Sequence, residues 1–133
     1  MTETADDLFQ AALAVRTRAY APYSGFRVGA AVRGASGLIY AGCNAENAAY
    51  PEGWCAETAA LAQLIASGER QVAEVCLVTD RDPPATPCGG CRQRLAELAG
   101  PETPVHLADL GGIRRTMTLA ELLPAAFITE PKG

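Results

Sequence analysis

The apolar and polar positions along the chain fall into eight segments. From residue 6 to 20, Leu8, Ala12, Val15 and Ala19 recur on one stripe with Arg16 and Arg18 off it, which predicts an amphipathic helix. Pro22 and Gly25 in APYSGF mark a loop. RVGAAVR (27–33) and LIYAGC (38–43) predict strands, and the GASG between them predicts a hairpin turn. NAENAAYPEGW reads as a loop. CAETAALAQLIAS (55–67) is helical by propensity and stops at Gly68. VAEVCLVTD (72–80) predicts a buried strand, RDPPATP a rigid connector, and CGGCRQRLAELA (88–99) a helix entered from Pro87. PVHLAD (104–109) predicts another strand. In TLAELL, Thr118 and Glu121 predict a capping box at the start of a last short helix. The order of elements predicts an α/β layered domain with a mixed sheet. No repeat or linker interrupts it, so a single domain over residues 1–133 is expected.

Composition narrows the class. At 133 residues the chain is long enough to bury a core without disulfide staples. Its 49% hydrophobic and 20% charged residues fit an ordinary globular domain, not a disordered one. No apolar run approaches the roughly 20 residues of a membrane span, so no membrane partner is expected. The acidic start MTETADDLFQ does not read as a secretion signal, which makes the cytoplasm the expected location. A net charge of −4 without a basic run argues against a polymeric nucleic acid as partner. A small uncharged ligand stays open.

Five cysteines, an odd number, in a reducing compartment point to metal binding or catalysis. Cys88 and Cys91 form a C-x-x-C pair at a helix start. Alone, that pair is as compatible with a redox dithiol as with zinc. Cys55 opens the preceding helix. If the two helix starts face each other, three thiolates converge and zinc fits them, with the fourth tetrahedral position left open. Glu57, two residues beyond Cys55, can then reach a water in that position without binding the metal. Zinc with three thiolates is a net anion, which helix N-termini stabilise. A closed structural site would need a fourth ligand from Cys43 or Cys76. Both read better as packed side chains, Cys76 within VCLV especially. His106 falls in a strand pattern and reads as structural.

CAE (55–57) and PCGGC (87–91) resemble the two motifs of zinc-dependent nucleobase and nucleoside deaminases. With YSGFRVGAAV (23–32), GCNAENAAY (42–50) and ELLPAAF (121–127), the chain resembles the small homotetrameric cytidine deaminases over most of its length. The resemblance implies a three-layer α/β/α sandwich with a mixed five-stranded sheet, and a homotetramer. It implies that Cys55, Cys88 and Cys91 bind zinc and that Glu57 shuttles the proton. It implies that Asn44 and Glu46 hydrogen-bond the ribose hydroxyls, Phe26 packs against the nucleoside and Ala56 offers backbone contact to the pyrimidine. Phe127 would close a neighbouring subunit's site. Tyr50 either lines the site or packs its loop.

The implied reaction is hydrolytic deamination of cytidine and deoxycytidine to uridine and deoxyuridine, releasing ammonia. The chemistry of Asn44 and Glu46 agrees, since an amide and a carboxylate can share donors and acceptors with a vicinal diol. Such a site should reject a free base. Two positions depart from the resemblance. Thr58 follows CAE where the family usually carries arginine, with Arg92 as the candidate for replacing that charge. Trp54 is bulkier than expected. These departures motivate an alternative substrate, another amino-substituted nucleoside or base. A non-catalytic protein with structural zinc or a redox pair is the other alternative.

Overall fold

The computed structural model describes residues 3–129. The first apolar stripe forms helix α1 (Glu3–Arg16), which buries Leu8, Phe9 and Ala12. It begins before residue 6 and stops short of the expected end at residue 20. The chain leaves the helix because the Tyr20 backbone is taken by the loop after the second strand. Tyr20 N donates to Asn44 O at 3.0 Å and Glu46 N donates to Tyr20 O at 2.8 Å.

Strands β1 (Gly29–Gly34) and β2 (Ile39–Cys43) form the expected hairpin, with Gly29 opposite Cys43. Gly37 in its turn has φ 93°, a left-handed conformation that glycine adopts without steric cost. Helix α2 (Ala56–Ala66), strand β3 (Val72–Val78), helix α3 (Gly89–Leu98) and strand β4 (Pro104–Asp109) follow as expected. Strand β5 (Gly112–Thr118) then precedes helix α4 (Leu119–Leu122), and the Thr118–Glu121 capping box is present.

The residue pattern alone missed β5. It is an edge strand whose Arg114, Arg115 and Thr116 are exposed, so no apolar alternation announces it. With it the sheet has the five strands that the resemblance implied, in the order β2-β1-β3-β4-β5. The β3–β4 pair is parallel and the other pairs are antiparallel, so the sheet is mixed.

Strand side chains alternate between two helical layers, as the two-residue period requires. Ala31, Cys76, Val78 and Ala108 face α1. Ala30, Val32, Val75, Leu77, Val105 and Leu107 face the other way, onto Ala60 and Leu64 of α2, Leu95 of α3 and Leu122 of α4. Leu8, Leu64, Leu95 and Leu107 are the largest fully buried side chains. Each such leucine contributes about 1.5–3 kcal/mol relative to exposure, so both layers are held chiefly by apolar burial. Across the sheet, Arg33, Glu74, His106 and Thr116 form a polar rung. Glu74 Oε2 lies 2.5 Å from His106 Nε2, and His106 Nδ1 lies 2.8 Å from Thr116 Oγ1.

The small residues set how closely α2 approaches the sheet. A Cβ on Gly42 of β2 would overlap the Ala60 backbone nitrogen and the Ala59 side chain. Gly42→Ala therefore must push α2 outward, and with it Cys55 at the helix start. Overpacking of this kind costs about 1–3 kcal/mol. A clear fall in the denaturation midpoint is expected, and a midpoint equal to the parent's would show that α2 can shift freely.

Candidate functional site

Cys55 and Cys88 occupy the N-cap positions of α2 and α3, both in extended conformation. Neither side chain makes a capping hydrogen bond, so both sulfurs remain available. Cys91 lies in the first turn of α3 and is fully buried. The three sulfurs all lie within 4.8 Å of one another, and among the described residues this is the group that could hold a metal. Cys43 and Cys76 do not belong to it. Cys76 is buried in the sheet, where burial pushes its thiol up to about 12. A closed four-cysteine site therefore finds no support among the described residues.

The donor set fits zinc. Two sulfurs each about 2.3 Å from a tetrahedral ion are separated by about 3.8 Å. Cys55 Sγ and Cys88 Sγ are 3.7 Å apart. Contact with Cys91 holds the Cys55 thiol below the ordinary thiol range, and contact with Cys55 together with burial holds the Cys91 thiol above it. A divalent cation answers these contacts by pairing with all three sulfurs as thiolates.

Glu57 follows Cys55 by two residues and is 4% exposed. Burial pushes its carboxyl above the ordinary carboxylate range, against the opposing charge of Arg94 and a contact with Cys91. A buried carboxyl raised in this way, beside a metal-type cluster, has the character of a general acid–base group.

A cleft of about 620 Å³ opens in front of the cluster. Phe26, Asn44, Glu46, Tyr50, Ala56, Glu57, Cys55 and Cys88 all line it, while Cys91 lies behind. Phe127 does not line this cleft; it is 73% exposed, and its carbonyl accepts a hydrogen bond from Gln93 Nε2 at 2.9 Å. Tyr50 stands on the short 3-10 turn Tyr50–Glu52 at the rim, its ring edge-on to Tyr23 with centroids 6.1 Å apart. Trp54 also lines the rim and is held there by paired backbone hydrogen bonds with Ala45.

Asn44 and Glu46 first serve the loops. Asn44 Oδ1 accepts from Val28 N and Asn44 Nδ2 donates to Phe26 O, both at 2.9 Å. One amide hydrogen and one lone pair stay unused by these two bonds. Glu46 accepts from the backbone of Tyr23 at 2.9 Å and of Ser24 at 3.0 Å, and from the Ser24 hydroxyl. These donors, the Ser24 hydroxyl foremost, hold its carboxyl below the ordinary range.

Several contributors escaped sequence reading. Ser24 and Tyr23 orient Glu46, and Leu77 and Thr79, both buried, line the inner end of the cleft. Arg92, expected to supply charge to the thiolates, does not. Its guanidinium and Nε donate to Pro87 O, Leu122 O and Thr86 Oγ1, tying the entrance of α3 to α4. The polar partners at the cluster are instead Thr58, whose Oγ1 lies 3.8 Å from Cys91 Sγ, and Arg94, whose Nη1 donates to the same sulfur at 3.8 Å. Arg94 stands three positions after Cys91, a spacing that puts both on one helix face and was the available signal.

The family described as "Cytidine and deoxycytidylate deaminase zinc-binding region" matches residues 2–107. A cytidine deaminase of Sporosarcina psychrophila is 44% identical over 115 residues, covering 86% of this chain and 85% of that protein. One from Halalkalibacterium halodurans is 43% identical over 123 residues, covering 92% and 93%. Among solved structures, a cytidine deaminase from Burkholderia pseudomallei matches with a TM-score of 0.87 at 42% identity, covering 96% of this chain and 100% of that one.

Proposed function

Because the chain belongs to the cytidine and deoxycytidylate deaminase zinc-binding family, we propose that it hydrolyses cytidine and deoxycytidine to uridine and deoxyuridine with release of ammonia. The observation that carries this reading is the buried Glu57 beside three convergent sulfurs, at the inner end of a cleft rimmed by Asn44 and Glu46.

Cys55, Cys88 and Cys91 would hold the zinc, which supplies Lewis-acid activation of a water molecule when bound. The remaining work belongs to the protein's own groups. Glu57 takes a proton from the attacking water on its carboxylate, gives it to N3 of the pyrimidine, then takes the proton of the new C4 hydroxyl and gives it to the 4-amino group, which leaves as ammonia while C4 becomes a carbonyl. Its raised affinity for a proton suits both halves of that task. The Ala56 backbone contacts the pyrimidine and the Phe26 ring packs against the nucleoside. Asn44 directs its spare donor and acceptor to the ribose hydroxyls, and Glu46 joins it with the lone pair its loop contacts leave. Tyr50 closes the outer rim.

Assembly as a homotetramer is part of the proposal. Phe127, exposed and outside its own cleft, would close a neighbour's, and the exposed apolar surface of Tyr20, Tyr23 and Ile128 supports this reading. A cytoplasmic setting is supported by the five cysteines, none of them in a disulfide. No described helix is long and apolar enough to cross a membrane.

The test is ammonia release by protein of verified zinc content, measured on cytidine, deoxycytidine and free cytosine. Turnover of both nucleosides with rejection of the base is expected. Trp54 at the rim and Thr58 at Cys91 favour one second reading, an amino-bearing nucleoside other than cytidine. Zinc-loaded protein inactive on cytidine but active on a modified nucleoside would establish that reading in place of the first.

A further inference from the structure

We propose that Arg94 is a positioning residue for the metal centre, donating from its guanidinium to the Cys91 sulfur and thereby slowing loss of the ion. The inference rests on the zinc reading above but not on the identity of the substrate.

Three thiolates around a divalent ion carry a net negative charge. Cys91 is the fully buried member of the set, so its sulfur has the least access to water. Two polar groups approach it instead. Thr58 Oγ1 approaches at 3.8 Å from α2, and Arg94 Nη1 approaches at 3.8 Å from α3. Only the second brings charge. Arg92 is committed elsewhere through three hydrogen bonds. Among the described residues, Arg94 is therefore the cationic side chain that hydrogen-bonds a sulfur of the cluster.

The backbone makes room for this arrangement. A Cβ at position 90 would stand 3.2 Å from Arg94 Nη1, tighter than an ordinary van der Waals contact, and Gly90 leaves that space open. Arg94 is otherwise an exposed residue that reaches back one turn, where solvating its guanidinium in water would be the ordinary outcome. A cation held here would offset the negative charge that three sulfurs place around a bound ion. The interaction is direct and electrostatic, so it should survive replacement by another cation and fail with a neutral isostere.

The experiment measures release of zinc to a chromogenic chelator from the parent, Arg94→Gln and Arg94→Lys, without substrate. Arg94→Gln should lose zinc roughly three- to tenfold faster, the range expected when a partly solvated charge contact near a sulfur is removed. Arg94→Lys should recover much of the parent's retention. A third variant carries Thr58→Arg together with Arg94→Gln, bringing a cation to the same sulfur from the other helix, and should also restore retention. Melting temperatures with zinc saturating check that each variant folds. Unchanged zinc release in Arg94→Gln overturns the proposal. Faster release that neither cation restores also overturns it, since the loss would then come from packing. Because no substrate enters the assay, a parent that retains zinc but does not deaminate cytidine would defeat the proposed function and leave this result standing.

Discussion

Replacing Glu57 with glutamine should abolish nearly all turnover and leave zinc stoichiometry unchanged. Glutamine has almost the same volume, so the packing of the buried first turn of α2 is preserved. What is lost is the ability to take a proton and return it. Positioned general acid–base groups typically contribute about 10²–10⁴-fold, and a loss in kcat of that size is expected. The substitution also replaces an ionisable group that burial disfavours as an anion with a neutral one, so the melting temperature should hold or rise. Steady-state kinetics, metal analysis and thermal melting on the same preparation separate these effects. A variant that deaminates at the parent's rate would remove Glu57 from the reaction, whatever its position.

Replacing Cys88 with alanine should have the complementary effect. Two sulfurs, Cys55 and Cys91, remain, and zinc content should fall well below one per chain. Cys88 is exposed, so removing its sulfur opens no cavity in the core. Any loss of stability must then come from the ion. By mass action, a hundredfold weaker affinity removes up to about 2.7 kcal/mol of stabilisation. A chelator should therefore lower the parent's melting temperature toward that of the variant and change the variant little. Full zinc occupancy and an unchanged melt in Cys88→Ala would mean that the three-sulfur centre is not the metal site.

The sequence was most legible where local pattern and chemistry coincide. The hairpin of β1 and β2, the capping box at Thr118 and the cysteines at two helix starts were readable because each depends on spacing within a few residues. Strand β5 was not, because an edge strand with exposed arginines carries no apolar alternation. The end of α1 was displaced by a tertiary event, capture of the Tyr20 backbone by the loop around Asn44 and Glu46. The role sought for Arg92 fell to Arg94 for a similar reason. Both are ordinary arginines on a helix, and only the packing of α3 against α4 decides which one turns to the sulfurs.

Asn44 and Glu46 show the same limit from another side. Their residue types suggested contact with a diol, and the fold places both in the cleft. It also gives each a prior task, bracing the segment from Tyr23 to Val28 that carries Phe26. Backbone partners of this kind have no sequence signature, because every residue offers the same N–H and C=O.

The separation of the sulfurs along the chain has a consequence for the folding path. Cys55 and Cys88 are 33 residues apart in sequence and 3.7 Å apart in space. All of α2 and all of β3 lie between them. An ion retained by the unfolded chain would close this loop much as a covalent cross-link does, and a loop of that size restricts the denatured ensemble by about 3–4 kcal/mol in the chain-entropy picture. It would also hold the starts of α2 and α3 together while β3, which pairs with both β1 and β4, forms in the loop between them. The ion that serves chemistry at the helix starts would thus also act earlier, as a constraint on the unfolded chain.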